Sequence, residues 1–144
     1  MKANIYFKNV RWNADATRLF ASATGPDPTY TVAEMQSEVR NGHSSLLAVF
    51  LEAKGAKPLP LGYIIMWRDD FGSGVEAGEL VIQAGAAFTN TLAKLALVAP
   101  AFDQLARNHN CTTIRTHVSD PAFLAAWKRH GFTRREVVMT RRVK

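Results

Sequence analysis

The sequence predicts one domain of the α/β (α+β) class, with a mixed central sheet of about six to seven strands flanked by about four helices. Three observations carry this expectation. The chain has 144 residues, the usual size of one folded unit, so residues 1–144 are read as a single domain. Apolar residues recur with a period of two in some stretches and of three to four in others, so strands and helices alternate along the chain. Gly, Pro, Asn and Asp punctuate the changes between them. The resulting order is strand, helix, helix, three strands, helix, strand, helix, strand.

Each element has its own signal. Residues 4–10 (NIYFKNV) mix apolar and polar side chains as a strand does. Asn13 or Asp15 can cap a short helix over 14–23, anchored by Leu19 and Phe20. Residues 24–28 hold two prolines and a glycine and read as a loop. Thr31 and Glu34 have capping-box spacing, and the helix they open runs to about Arg40 before Asn41-Gly42. Residues 45–53 and 61–67 form a hairpin around a Lys-Gly-Ala-Lys-Pro turn. Residues 68–78 are polar and Gly-rich, hence a loop, and 79–88 form the next strand.

Asn90 can cap a helix whose apolar positions are Leu92, Leu95, Ala96, Ala99, Phe102 and Ala106. Pro100 falls inside that pattern and must kink the helix or split it. Residues 112–118 alternate and carry β-branched side chains, as a strand does. Asp120-Pro121 places a cap and a first-turn proline before a helix bearing Phe123, Leu124 and Trp127, which Gly131 ends. Residues 132–143 are expected to be the final strand.

Composition excludes several classes. Hydrophobic residues make up 47% and charged residues 21%, ordinary values for a globular protein. No run of eighteen apolar residues is present, so no membrane span is expected. The first ten residues lack an apolar secretory core. Cys111 is the only cysteine and cannot form an intramolecular disulfide, which fits a reducing, cytoplasmic setting. His43, His109, His117 and His130 lack the spacing of a metal site, and no metal is expected. The net charge of +6 is uneven: residues 1–106 hold 9 Lys/Arg against 10 Asp/Glu, and residues 107–144 hold 9 against 2. A basic C-terminal quarter suits an anionic partner, whether nucleotide cofactor, nucleic-acid phosphate or acidic protein face, or is a solvated surface. No nucleic-acid-reading motif accompanies it.

The order of elements and several local sequences resemble the GCN5-related N-acetyltransferases (GNAT). GELVIQAGAAF is similar to that family's central strand, and ARNHNCTTIRTHVSDPAFLAAWKRHGF to its closing helix, strand and helix ending on Gly-Phe. The resemblance implies acetyl-CoA as cofactor, held where the central strand meets the next helix, with Gln83 and Ala84 on the strand. The family motif Gln/Arg-x-x-Gly-x-Gly/Ala falls on Asn90, Thr91, Leu92, Ala93, Lys94 and Leu95, so Ala93 and Leu95 stand at the glycine positions. Helix N–H groups and Lys94 can still hold an anion there. The resemblance puts a general base at Glu79, against the plain reading of an exposed strand-end carboxylate. His117 is a second candidate base, against a satisfied strand histidine. The family's acidic Tyr on the last helix is replaced by Trp127, whose indole does not titrate.

The implied activity is acetyl transfer to an amine of a small molecule, a protein N-terminus or a lysine. The alternative is a scaffold with eroded motifs that binds a partner or serves structurally, for example as a virion-associated protein of a tailed phage.

Overall fold

The computed structural model describes residues 4–23, 30–52, 54–70, 78–117, 121–134, 139, 141 and 143. Among them lie five strands: β1 (Asn4–Val10), β2 (Ser45–Glu52), β3 (Leu59–Asp69), β4 (Gly78–Ala87) and β5 (Cys111–Thr116). They form one sheet in the order β1-β2-β3-β4-β5. The first three pairings are antiparallel and β4–β5 is parallel. The expectation of a mixed sheet holds, with five strands instead of six or seven. Within the expected last strand, Phe132, Thr133 and Arg134 pair with no strand, and much of the remainder lies outside the described residues. The expected loop at 24–28 and the cap at Asp120 also lie outside them.

Helices cover both faces of the sheet. Helices α1 (Ala14–Ala23) and α2 (Val32–Arg40) pack Ala16, Leu19, Phe20 and Met35 against Leu46, Ile65 and Ala86. Three segments cover the other face: α3 (Thr91–Val98), α4 (Phe102–Asn108) and α5 (Pro121–Arg129). They bring Val98, Phe102, Leu105 and Trp127 onto Leu47, Ile64, Met66, Leu80 and Ile82. Pro100 splits α3 from α4 through a 3-10 turn, Ala99–Ala101, because proline cannot donate to the preceding turn.

Local chemistry accounts for the ends. Asn13 Oδ1 accepts from the Ala16 N–H at 3.0 Å, so Asn13 is the cap of α1. Thr31 and Glu34 form the reciprocal capping box of α2. That helix closes with Gly42 at φ +78°, His43 N–H bonding the Glu38 carbonyl and Gly42 N–H that of Val39. Helix α5 ends the same way. Gly131 takes φ +89°, its N–H reaches the Lys128 carbonyl, and Phe132 N–H reaches that of Trp127. The Trp127 and Phe132 rings meet edge-on at 4.7 Å, the apolar contact such a turn carries.

β3 runs further than expected at both ends. Pro60 lies inside it, at the register shift opposite Val49 and Phe50, where a missing N–H costs little. Arg68 and Asp69, expected in a loop, continue the ladder opposite Leu80 and Glu79.

Ile65 is fully buried between the sheet and α1–α2. Ile65→Ala should lower unfolding free energy by about 3 kcal/mol, read from urea denaturation at constant slope.

Candidate functional site

A register shift in β4 builds the site. Ile65 of β3 faces Ala84 and the next residue, Met66, faces Ile82, so Gln83 is an extra residue in β4. The insertion reverses the alternation of faces. Leu80 and Ile82 point to the α3–α5 face, whereas Ala84 and Ala86 point to the α1–α2 face. Gly85 therefore lies on the α3–α5 face, opposite Ile64, where it adds no side chain.

At the same level β4 loses β5. Their parallel pairing runs from Gly78–Cys111 to Ile82–Thr116, while β4 continues to Ala87 on β3 alone. Phe88 N–H bonds the Leu61 carbonyl, and by strand alternation Gly85 and Ala87 aim their backbone groups away from β3. A groove of about 1730 Å³ opens beside this edge. Its walls include Gln83 to Ala87 on β4, Thr91, Lys94 and Leu95 on α3, Thr116 at the end of β5 and His117 after it, and Phe123 and Trp127 on α5. Five Lys and Arg side chains line it, Lys94, Arg107, Arg115, Lys128 and Arg134, against the two acids Glu79 and Asp103.

Helix α3 presents an uncapped N-terminus. Asn90 takes the left-handed conformation at φ 50° and makes no side-chain cap bond, contrary to the expected capping role. Lys94 N–H is the first to close a helical turn, on the Asn90 carbonyl, so the Thr91, Leu92 and Ala93 N–H groups precede the helical ladder. Ala93 is exposed, and Leu95 packs against the core below the helix, so the branched side chain does not crowd the first turn. Of the residues expected to hold a cofactor, Gln83, Ala84, Thr91, Lys94, Leu95 and Trp127 line the groove; Asn90 and Ala93 do not.

Glu79 is not the exposed strand-end carboxylate of the plain reading. Its side chain is 15% exposed and pairs with Arg115 at 3.2 Å. It also accepts from the Thr113 hydroxyl at 3.1 Å. Arg115 reaches Asp69 at 3.2 Å as well and lies 5.7 Å from the Trp67 ring centre. Its Nε is buried and finds no acceptor among the described residues. Trp67 in turn donates to Gln83 Oε1 at 3.1 Å. His117, expected within the strand, lies one residue beyond β5 and is exposed at the groove.

Trp127 is buried, and its ring meets Phe102 at 5.7 Å and Phe132 at 4.7 Å, so it is a wall of the groove. Cys111 is buried, and burial pushes its thiol up, which disfavours a thiolate nucleophile. Among the described residues no three His, Cys, Asp or Glu side chains gather as a metal requires. No described helix is long and apolar enough to cross a membrane.

A second, smaller cavity of about 460 Å³ lies on the α1–α2 side, lined by Tyr30, Glu38, His43, Ser44, Trp67 and Gln83. Tyr30 donates to Glu38 Oε2 at 3.0 Å, and Ser44 Oγ lies 3.5 Å from the same oxygen. Burial first, then the Glu38 charge, pushes the Tyr30 phenol well above its usual range. Tyr30 and Gln83 line both cavities. Sequence reasoning missed this cavity and also missed Arg115 as the partner of Glu79.

No protein-family model matches the chain, and no curated protein sequence matches it significantly. Solved structures do match in fold. An aminoglycoside acetyltransferase from an uncultured soil metagenomic sample, in complex with trehalose, superposes with a TM-score of 0.63 at 14% identity. The match covers 97% of this chain and 95% of that one. The same enzyme in complex with sisomicin gives 0.64 over the same shares, again at 14% identity. An acetyltransferase of Trypanosoma brucei gives 0.62 at 12% identity, covering 97% of this chain and all of that one.

Two outcomes follow from the polar contacts. Arg115→Met should lower stability by about 2 kcal/mol, because two mostly buried carboxylates lose their shared cation. An Arg115→Met, Glu79→Gln, Asp69→Asn triple variant should recover most of that loss in the same denaturation assay. Tyr30 holds its proton more tightly folded than unfolded, so its contribution is complete below pH 10 and declines as pH rises beyond. Tyr30→Phe should therefore flatten the loss of stability above pH 10 relative to the parent chain.

Proposed function

We propose that this chain, which has the GCN5-related N-acetyltransferase fold, transfers an acetyl group from acetyl-CoA to an amine. The observation that carries the reading is the parting of β4 from β5 after Ile82 and Thr116, which opens a large groove beside an unpaired strand edge and an uncapped helix N-terminus. The residues present suit a long, polyanionic, amide-bearing group. The N–H groups of Thr91, Leu92 and Ala93 at the positive end of α3, with Lys94 beside them, suit phosphate oxygens. Lys128 and Arg134 add charge along the same groove. Gly85 and Ala87 offer backbone N–H and C=O groups where a strand partner is missing, with no bulky side chain in the way. When bound, acetyl-CoA supplies an activated acyl group as a thioester.

The chain's own residues then divide the work. Gln83 and Ala84 form the wall where strand pairing ends. Thr113 and Arg115 fix the carboxylate of Glu79, which takes the acceptor's proton through water. His117, at the groove mouth, is the second group able to accept it. Trp127 shapes the groove and supplies no proton, so the departing thiolate draws its proton from solvent. Asn90 turns the chain into α3 without touching the groove. The similar aminoglycoside acetyltransferase, in complex with sisomicin, supports an amine as acceptor.

Trp127 at the position of an acidic Tyr favours a second reading, a scaffold of the same fold that binds a partner without turnover. Calorimetric titration with acetyl-CoA at low salt separates the two. Micromolar affinity, about −8 kcal/mol, is expected, weakened about tenfold by Lys94→Ala. No heat at millimolar ligand would leave the scaffold reading. Glu79→Gln should lower turnover about 100-fold and stability by about 1 kcal/mol, and unchanged turnover would remove Glu79 as base.

A further inference from the structure

The smaller cavity holds a carboxylate in an unusual setting. Glu38 lies in the last turn of α2, where the helix dipole is negative and an anion is disfavoured. It is half-buried, and among the described residues its Oε2 atom has the hydroxyls of Tyr30 and Ser44 as its hydrogen-bond donors. No Lys or Arg among the described residues pairs with it, although Asp15, Asp69, Asp70 and Glu79 each have such a cation. The closing turn of α2 fixes the site, because His43 and Ser44 both donate their backbone N–H to the Glu38 carbonyl. Two aromatic rings, Tyr30 and Trp67, stand in the cavity wall. A half-buried carboxylate against a helix dipole, with aromatic faces, the His43 ring in the same wall and no Lys or Arg partner among the described residues, is stabilised by a cation from outside.

The cavity volume of about 460 Å³ is that of a small-molecule site. Gln83, at the β4 insertion, lines both this cavity and the large groove. Tyr30 and Gln83 are therefore the walls shared between the cavity that holds Glu38 and the groove where acyl transfer is proposed. The amine that is acylated must be neutral to attack, so it cannot be the group that Glu38 holds as a cation.

We infer that this cavity binds a small polar molecule carrying at least two amino groups, one held as an ammonium ion by Glu38 while another reaches past Gln83 into the groove. Its role as acceptor site rests on the transferase reading; its preference for a cation does not. No bond is made or broken in this step. Glu38 holds the molecule and Glu79 remains the base.

The test is calorimetric titration of the full chain, without acetyl-CoA, at about pH 8 and low salt, so that amines stay charged and screening is weak. The probes are spermidine, 1-aminobutane and 1,4-butanediol. Spermidine is expected to bind at least tenfold more tightly than 1-aminobutane, and the diol not at all. Glu38→Gln keeps an oxygen acceptor for the Tyr30 and Ser44 hydroxyls, and should weaken spermidine at least tenfold while acetyl-CoA affinity stays unchanged. Equal spermidine affinity in parent and variant would overturn the proposal. So would equal binding of the three probes to the parent chain, a readout independent of whether the variant folds. If acetyl-CoA fails to bind while spermidine binds through Glu38, the transferase reading falls and the cation pocket stands.

Discussion

One extra residue in β4 decides where everything around the site points. A strand alternates faces with a period of two, so a single insertion exchanges the faces of all residues after it. Before Gln83, Leu80 and Ile82 feed the core under α3–α5; after it, Ala84 and Ala86 feed the core under α1–α2. The α3–α5 face of the strand's second half then carries Gly85, with no side chain to fill the space. The increased local twist of a bulged strand also makes continued pairing with β5 harder, and that pairing stops at Ile82. The same Gln83 side chain, held by Trp67, stands between the two cavities.

The walls of the groove are held in place by contacts that lie elsewhere in the chain. Pro100 interrupts the helical ladder, and the 3-10 turn it forces lets α4 start afresh at Phe102. Phe102 then meets Phe7 of the edge strand at 5.9 Å and Trp127 at 5.7 Å, and Trp127 meets Phe132. This line of rings ties the edge strand of the sheet to the last helix. Trp127 is consequently a packing residue whose exchange for a smaller phenol would open a gap beside Phe102. Its indole does not titrate, and its place in this line is one of packing.

Much of the fold was legible because its signals are local. The capping box at Thr31 and Glu34, the proline break at Pro100 and the Gly131 turn each depend on residues within five positions of one another. The insertion at Gln83 was not legible, since Gln83 to Ala87 carry little apolar contrast from which a register can be read. Nor was the extension of β3, because Asp69 is polar and its partner Arg115 lies 46 residues away. The site was partly legible. The segment from Thr91 to Leu95 was located by counting, and the helical spacing that puts Leu95 among the apolar positions agrees with its packing against the core. A signal for Glu38 was present and unread. It is an acid in the last turn of a capped helix, with Glu34 and Gly42 as its neighbours four residues away and no basic residue at either place.

Charge is sorted between the two faces. The excess of basic residues after position 106 was visible as a block, and Arg107, Lys128 and Arg134 bring it to the groove beside Lys94. The other cavity has Glu38 and His43 in its wall and, among the described residues, no Lys or Arg. The excess of Lys and Arg over acids in the groove suits the anion proposed there, and the carboxylate of the other cavity suits the cation proposed for it. The 3.2 Å pairs that Arg115 makes with Glu79 and Asp69 keep those two acids from adding to the field of Glu38. Arg115 thereby serves both sides. It neutralises the carboxylates nearest the groove, and it leaves Glu38 as the acid in the smaller cavity whose charge is not met by a cation of the described fold.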